Sequence, residues 1–170
     1  MNPSPDAEHW FDQGLNDYEQ QQYDLALNCF QEAIKINQQF IPAWIYQGMT
    51  LEQMGKYDDA IASYNQAIDI NPNITDLWYN KATTLSYLKR YPEALVCFDK
   101  VLEIDPNHAF CKTARSLTLA ILSNPRQPNQ PIIETEERQP LTAEAEASMQ
   151  LQRSRESYTF LSQIKEIDEY

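Results

Sequence analysis

The chain has 170 residues, 42% of them apolar, a net charge of −12 and an isoelectric point near 4.5. That length and apolar content suit one domain with its own core and exclude disorder throughout; so few Lys and Arg exclude a surface built to follow a phosphate backbone, and disfavour an acidic partner or an anionic membrane. No apolar run is long enough to cross a bilayer, Met1 to Asp6 has no cationic start followed by an apolar stretch, and Cys29, Cys97 and Cys111 form neither a C-x-x-C pair nor an even set, so a reducing, cytoplasmic location is expected.

After a lead-in at 1–6, the chain repeats itself every 34 residues. Trp10, Trp44 and Trp78 carry the period, and Tyr23, Tyr57 and Tyr91 share it. So do Ala26, Ala60 and Ala94; Phe30, Tyr64 and Phe98; Ala33, Ala67 and Val101; and Ile36, Ile70 and Ile104. Gly14 and Gly48 are matched by Ala82. Three units result, 7–40, 41–74 and 75–108. Within each, apolar residues recur at three- and four-residue steps, which predicts two helices separated by a polar break at Gln20–Gln22, Met54–Lys56 or Leu88–Arg90. Small residues at 14, 48, 82, 26, 60 and 94 let paired helices approach, and the aromatics fill the remaining space. Pro42 and Pro92 fall at helix starts, where a missing N–H costs nothing. Asn71-Pro72 and Asp105-Pro106 mark turns between units.

These residues resemble the tetratricopeptide repeat, whose pattern runs Trp, Leu-Gly, Ala-x3-aromatic and a closing Pro. The resemblance covers 7–108. Gln13, Gln47 and Lys81 stand where the pattern prefers Leu, and Gln38 replaces the proline seen at Pro72 and Pro106, so the first unit is expected to turn less tightly. The family implies an all-α fold, a right-handed α-solenoid of three helix-turn-helix repeats, with a trough lined by the first helix of each unit. Carried over by register, the lining is Glu8, Phe11, Asp12, Leu15 and Tyr18; Ile45, Tyr46, Met49, Glu52 and Gln53; and Asp76, Tyr79, Asn80, Thr83 and Tyr87. Such an aromatic and acidic groove suits a partner peptide or helix with apolar anchors and basic flanks; alternatively, several of these tyrosines pack on adjacent helices. One branch of the family grips the C-terminal carboxylate of heat-shock chaperones with two lysines, two asparagines and an arginine. Those positions are Phe11, Leu15, Tyr46, Asp76 and Asn80 here, with one amide donor and one repelling carboxylate, so that clamp is not expected.

Beyond the third unit, 109–122 continues the register with Ser116 at the small-residue position and Lys112 at the tryptophan position, as a capping helix would. Four prolines, Pro125, Pro128, Pro131 and Pro140, make 123–141 a linker of roughly 25 Å root-mean-square span. Thr142 can then cap a helix over 142–170 whose second half carries a stripe of Tyr158, Phe160, Leu161, Ile164 and Ile167. That stripe should pack on the repeat domain, on another copy, or on a larger partner.

The sequence points to no catalytic group, cofactor or metal. Aromatics repeating at the period of the fold belong to the core rather than to a ligand cage. His9 and His108 lack further ligands at metal spacing, and Cys29 and Cys97 occupy equivalent packing positions. By unit, one cation stands against six carboxylates, then one against four, then four against five, so a basic partner is steered to the N-terminal end. The expected function is an adaptor or assembly factor that binds protein and no nucleic acid. The alternative is a self-associating, homodimeric scaffold or a subunit of a larger complex.

Overall fold

The computed structural model describes residues 6–123, and these form seven α-helices and no strand. The helices are α1 (Ala7–Glu19), α2 (Tyr23–Ile36), α3 (Ile41–Gln53), α4 (Tyr57–Ile70), α5 (Thr75–Tyr87), α6 (Tyr91–Ile104) and α7 (Ala109–Ser123). The described residues all fall within one compact unit. Apart from Asp6 and Ser123, the expected lead-in at 1–6, linker at 123–141 and helix at 142–170 lie outside the described residues.

Pairing within a unit depends on a missing side chain. A Cβ on Gly14 would stand 2.6 Å from Cε1 of Phe30, and one on Gly48 would stand 2.5 Å from Cε1 of Tyr64. The ring of the second helix therefore lies on the backbone of the first, and both rings are fully buried. In the third unit Ala82 and Phe98 are buried in one cluster with Leu85, Ala94, Cys97 and Val101, and Cys111 of α7 closes it.

The turns repeat as faithfully as the helices. After α1, α3 and α5 the chain enters the left-handed region at Gln21, Gly55 and Lys89, with φ of 60°, 74° and 59°. The next N–H, of Gln22, Lys56 or Arg90, reaches back 2.8 Å to the carbonyl of Asp17, Leu51 or Leu85, closing a Schellman turn. Between units, the Oδ1 of Asn37, Asn71 and Asp105 accepts from the N–H two residues on, at 2.9–3.0 Å. The indole N–H of Trp44 donates to the carbonyl of Gln38 at 2.9 Å, and that of Trp78 to the carbonyl of Pro72 at 2.8 Å. The looser turn expected from Gln38 is not found: the Asx bond joins Asn37 and Gln39 and does not involve residue 38, and the indole bond takes only its carbonyl, which any residue there supplies.

One further series sits inside the helices. Thr50, Thr84 and Thr118, 34 residues apart, are buried and donate to the carbonyl four residues back, at 2.6, 2.9 and 2.8 Å. A hydroxyl satisfied on its own helix can be packed almost like a methyl group. Lys81, at the pattern's leucine position, lays its ammonium 5.5 Å from the Trp78 ring. Each helix packs on its neighbours in sequence; α1 also touches α3, and α5 touches α7, which brings the first helices of successive units to one side.

Candidate partner-binding surface

On a helix, residues at i, i+4, i+7 and i+11 share one stripe. In α1 that stripe is Glu8, Asp12, Leu15 and Glu19; in α5 it is Asp76, Asn80, Thr83 and Tyr87. The residues expected to line the trough divide by depth. Glu8, Asp12, Gln53 and Tyr87 are exposed, and Leu15, Tyr18, Glu52, Asp76, Tyr79, Asn80 and Thr83 are half-buried. Phe11, Ile45, Tyr46 and Met49 are buried. These four form the floor beneath the surface: the Phe11 ring lies 5.5 Å from Tyr46, 5.8 Å from Phe30 and 5.2 Å from Phe40. Ile45 and Met49 pack with Leu77 and Ile68.

Tyr18 joins the same floor, edge-on to Tyr46 at 5.9 Å and to Tyr23 at 5.6 Å. Burial, then Tyr23, Glu52 and Tyr46, push its hydroxyl far above the ordinary tyrosine range, against a bond with Gln53 that favours ionisation. Tyr79 lies between Phe98 and His108, stacked on the imidazole at 5.1 Å. His108 is fixed from its other side, because Nδ1 accepts the Cys111 N–H at 3.1 Å and so caps α7. Glu52 Oε1 also stands within hydrogen-bond reach of the Thr84 hydroxyl of the next unit, whose single proton is shared between that carboxylate and the Asn80 carbonyl. The Tyr87 ring lies tilted against Tyr57 at 4.5 Å, and hydrogen bonding to Tyr87 raises the Tyr57 hydroxyl.

Charge is distributed unevenly over this surface. Among the described residues no Lys or Arg lies within ion-pair distance of Glu8, Asp12 or Glu19. Among the described residues, an ion pair joins the second and third repeats from Arg90 to Asp58 at 3.1 Å, with Glu93 at 2.7 Å on the same guanidinium. An unneutralised acidic row at one end attracts cationic groups, weakly in salt and more strongly once desolvated.

The thiols are structural. Cys29 donates to the buried Asp17 at 3.6 Å and Cys111 to the carbonyl of Phe98 at 3.3 Å. Burial pushes both up to about 11, and Cys97 is raised by burial too. Away from the trough, a cavity of about 380 Å³ lined by Leu27, Trp44, Gln47 and Lys56 lies among α2, α3 and α4. Among the described residues, the buried Oε1 of Gln47 has no hydrogen-bond partner.

One part of the surface was not drawn from the sequence. On α7, Phe110, Leu117 and Ile121 are 60%, 61% and 49% exposed. They stand 34 residues beyond Asp76, Thr83 and Tyr87, so the stripe of α5 continues in register onto the last helix. The signal was the period itself; reading 109–122 only as a cap hid it.

Family models described as Tetratricopeptide repeat match the chain at 7–40, 41–74 and 75–108. No curated protein matches it. Among solved structures, the chain is similar to the first TPR of Spaghetti (RPAP3) bound to HSP90 peptide SRMEEVD, with 19% identity and a TM-score of 0.65 over 69% of this chain and 93% of that one. The Arabidopsis OM64 TPR domain is 22% identical, with a TM-score of 0.63 over 67% and 94%. YrrB, described as a TPR protein with an unusual peptide-binding site, is 25% identical, with a TM-score of 0.62 over 67% of this chain and 59% of that one. With all three repeats matched in register and folded as paired helices, the chain belongs to the tetratricopeptide repeat family.

Proposed function

We propose that the chain is a non-catalytic adaptor or assembly factor that holds a segment of another protein along the first helices of its repeats. The observation that carries this reading is the row of exposed and half-buried side chains at equivalent positions of α1 and α5, acidic and without an ion pair among the described residues at Glu8 and Asp12, polar at Asn80 and Thr83 and aromatic at Tyr87. Two similar structures are described with a bound peptide or a peptide-binding site, which agrees with it. The lining suits a partner with cations and apolar anchors, and cytoplasmic residence fits three reduced, buried thiols. An array of synthetic peptides graded in charge and apolar content, read against the full chain, tests the proposal. Cationic, apolar peptides bind, and Asn80→Ala with Tyr87→Ala weakens them; retention by those variants overturns it. Tyr46 is no use here, since a buried ring reports on stability.

The region 142–170 regulates access in this reading. A chain ending at 123 then binds the same peptides more tightly, and unchanged affinity removes the regulatory part. A second reading, self-association, is favoured by the exposed aliphatic residues of α7. Light scattering over a concentration series decides it, because a strict monomer at high concentration excludes a homodimeric scaffold.

A further inference from the structure

The first helices of the array change character from one end to the other. At four equivalent stripe positions, α1 carries Glu8, Asp12, Leu15 and Glu19, whereas α7 carries Phe110, Ala114, Leu117 and Ile121. The charge follows: α1 to α2 hold the most acidic unit, and 109–122 contains Lys112 and Arg115 with no carboxylate. We propose that the binding surface extends past the third repeat onto α7 and is polar end to end, so that it seats a foreign segment in one direction, cationic residues over α1 and large apolar residues over α7.

This rests on the groove reading above and adds its direction, its last wall and the partner's layout. Adjacent packed helices lie about 8–10 Å apart, so three steps from α1 to α7 span roughly 25–30 Å. An extended chain rising about 3.3 Å per residue covers that with roughly eight or nine residues. Charge selects a foreign occupant. A second copy, at −12, would set its own carboxylates against Glu8, Asp12 and Glu19. The segment 142–170 has three cations against six carboxylates, and complements the acidic end no better. A segment with Lys or Arg at one end and Leu, Ile or Phe at the other matches both ends, its cations desolvating an unpaired acidic row and its apolar side chains covering Phe110, Leu117 and Ile121.

The test uses the full, 15N-labelled chain and a twelve-residue synthetic peptide with four lysines at one end and Leu-Phe-Ile-Leu at the other, carrying a nitroxide at either end. The nitroxide on the apolar end is expected to broaden amide signals of 109–123, and that on the lysine end those of 7–19. Phe110→Ser with Ile121→Ser should weaken binding about tenfold at any ionic strength. Glu8→Gln with Glu19→Gln should weaken it about fivefold at low salt and hardly at all at high salt. Both labels broadening the same helix, or unchanged affinity in the α7 variants, overturns the proposal. If Asn80→Ala with Tyr87→Ala still weakens the peptide in that case, groove binding stands and only the extension falls. Signals of α7 that move when 124–170 is deleted without peptide, or a doubled mass lost in Ile121→Ser, assign α7 to the tail or to a second copy, and either result overturns it.

Discussion

At Gly48 the second unit has no room for a methyl group. The Tyr64 ring that a Cβ would strike is fully buried and cannot swing aside. Gly48→Ala gains up to about 1 kcal/mol of helix propensity and loses about 1–3 kcal/mol to overpacking. A net destabilisation of up to about 2 kcal/mol is expected in urea titration. The third unit already carries Ala82 opposite Phe98, so the constraint belongs to units one and two. The left-handed turn residues show the opposite case. Lys89 holds a φ of 59° where the second unit uses Gly55, whose absent Cβ would meet nothing within 4 Å. Lys89→Gly relieves that strain but adds freedom to the unfolded chain, for a net gain of up to about 1 kcal/mol. A raised melting temperature checks it; a lowered one shows that the Lys89 side chain contributes something the turn geometry does not include.

At the scale of elements, the array is held by what each helix finds on the next. The last described helix, α7, buries Cys111 in the cluster it shares with α5 and α6, touches both of those helices, and leaves Phe110, Leu117 and Ile121 largely exposed. Without it, Phe98 and Val101 would lose their cover. Re-exposing them at roughly 1.5–3 kcal/mol per side chain predicts a loss of at least about 3 kcal/mol for a chain ending at 108. Hydrogen exchange should then quicken first in α5 and α6, since a stack of repeats transmits stability only between neighbours. Uniform quickening through α1 would contradict the nearest-neighbour picture. Binding at α7 and capping by α7 are compatible, because Phe110, Leu117 and Ile121 lie off the side that meets α6.

Across the whole molecule, three buried thiols and Tyr18 share one consequence for pH. Cys29 and Cys111 move from an ordinary 9.0 to about 11, and Cys97 and Tyr18 are raised as well, with burial the largest cause. Groups whose ionisation is raised by folding stabilise the native state fully below their unfolded values, and that stabilisation is lost as pH climbs through the folded ones. The melting temperature should therefore be insensitive to these four groups at neutral pH and fall from about pH 9 upward. Slow thiol labelling at neutral pH, accelerating on unfolding, checks the same burial; rapid labelling of all three in the native chain would refute it.

The period made the helix pairs, the breaks between them and the series of small residues readable from the sequence, because those features depend on neighbours in register. Depth was harder to read. Register assigns Tyr46 and Tyr87 alike to the inner side, yet Tyr46 is buried because Phe11, Phe30 and Tyr18 surround it, whereas Tyr87, with the Tyr57 ring beside it, stays exposed. What a helix stripe touches is set by the bulk of the adjacent helices, which a periodic pattern does not report. The threonines at 50, 84 and 118 escaped notice for a related reason: a hydroxyl counts as polar until its bond to its own helix is seen.

The indole latches between units also furnish built-in optical probes. Trp44 and Trp78 each donate to the loop that joins their unit to the one before, while Trp10 has no preceding loop among the described residues and only His9 edge-on at 6.2 Å. Emission from a chain keeping Trp44 alone therefore reports the opening of the first junction, and from one keeping Trp78 alone the second. The protein carries a separate fluorescent gauge at each seam, so partial unzipping can be followed seam by seam without attaching a dye.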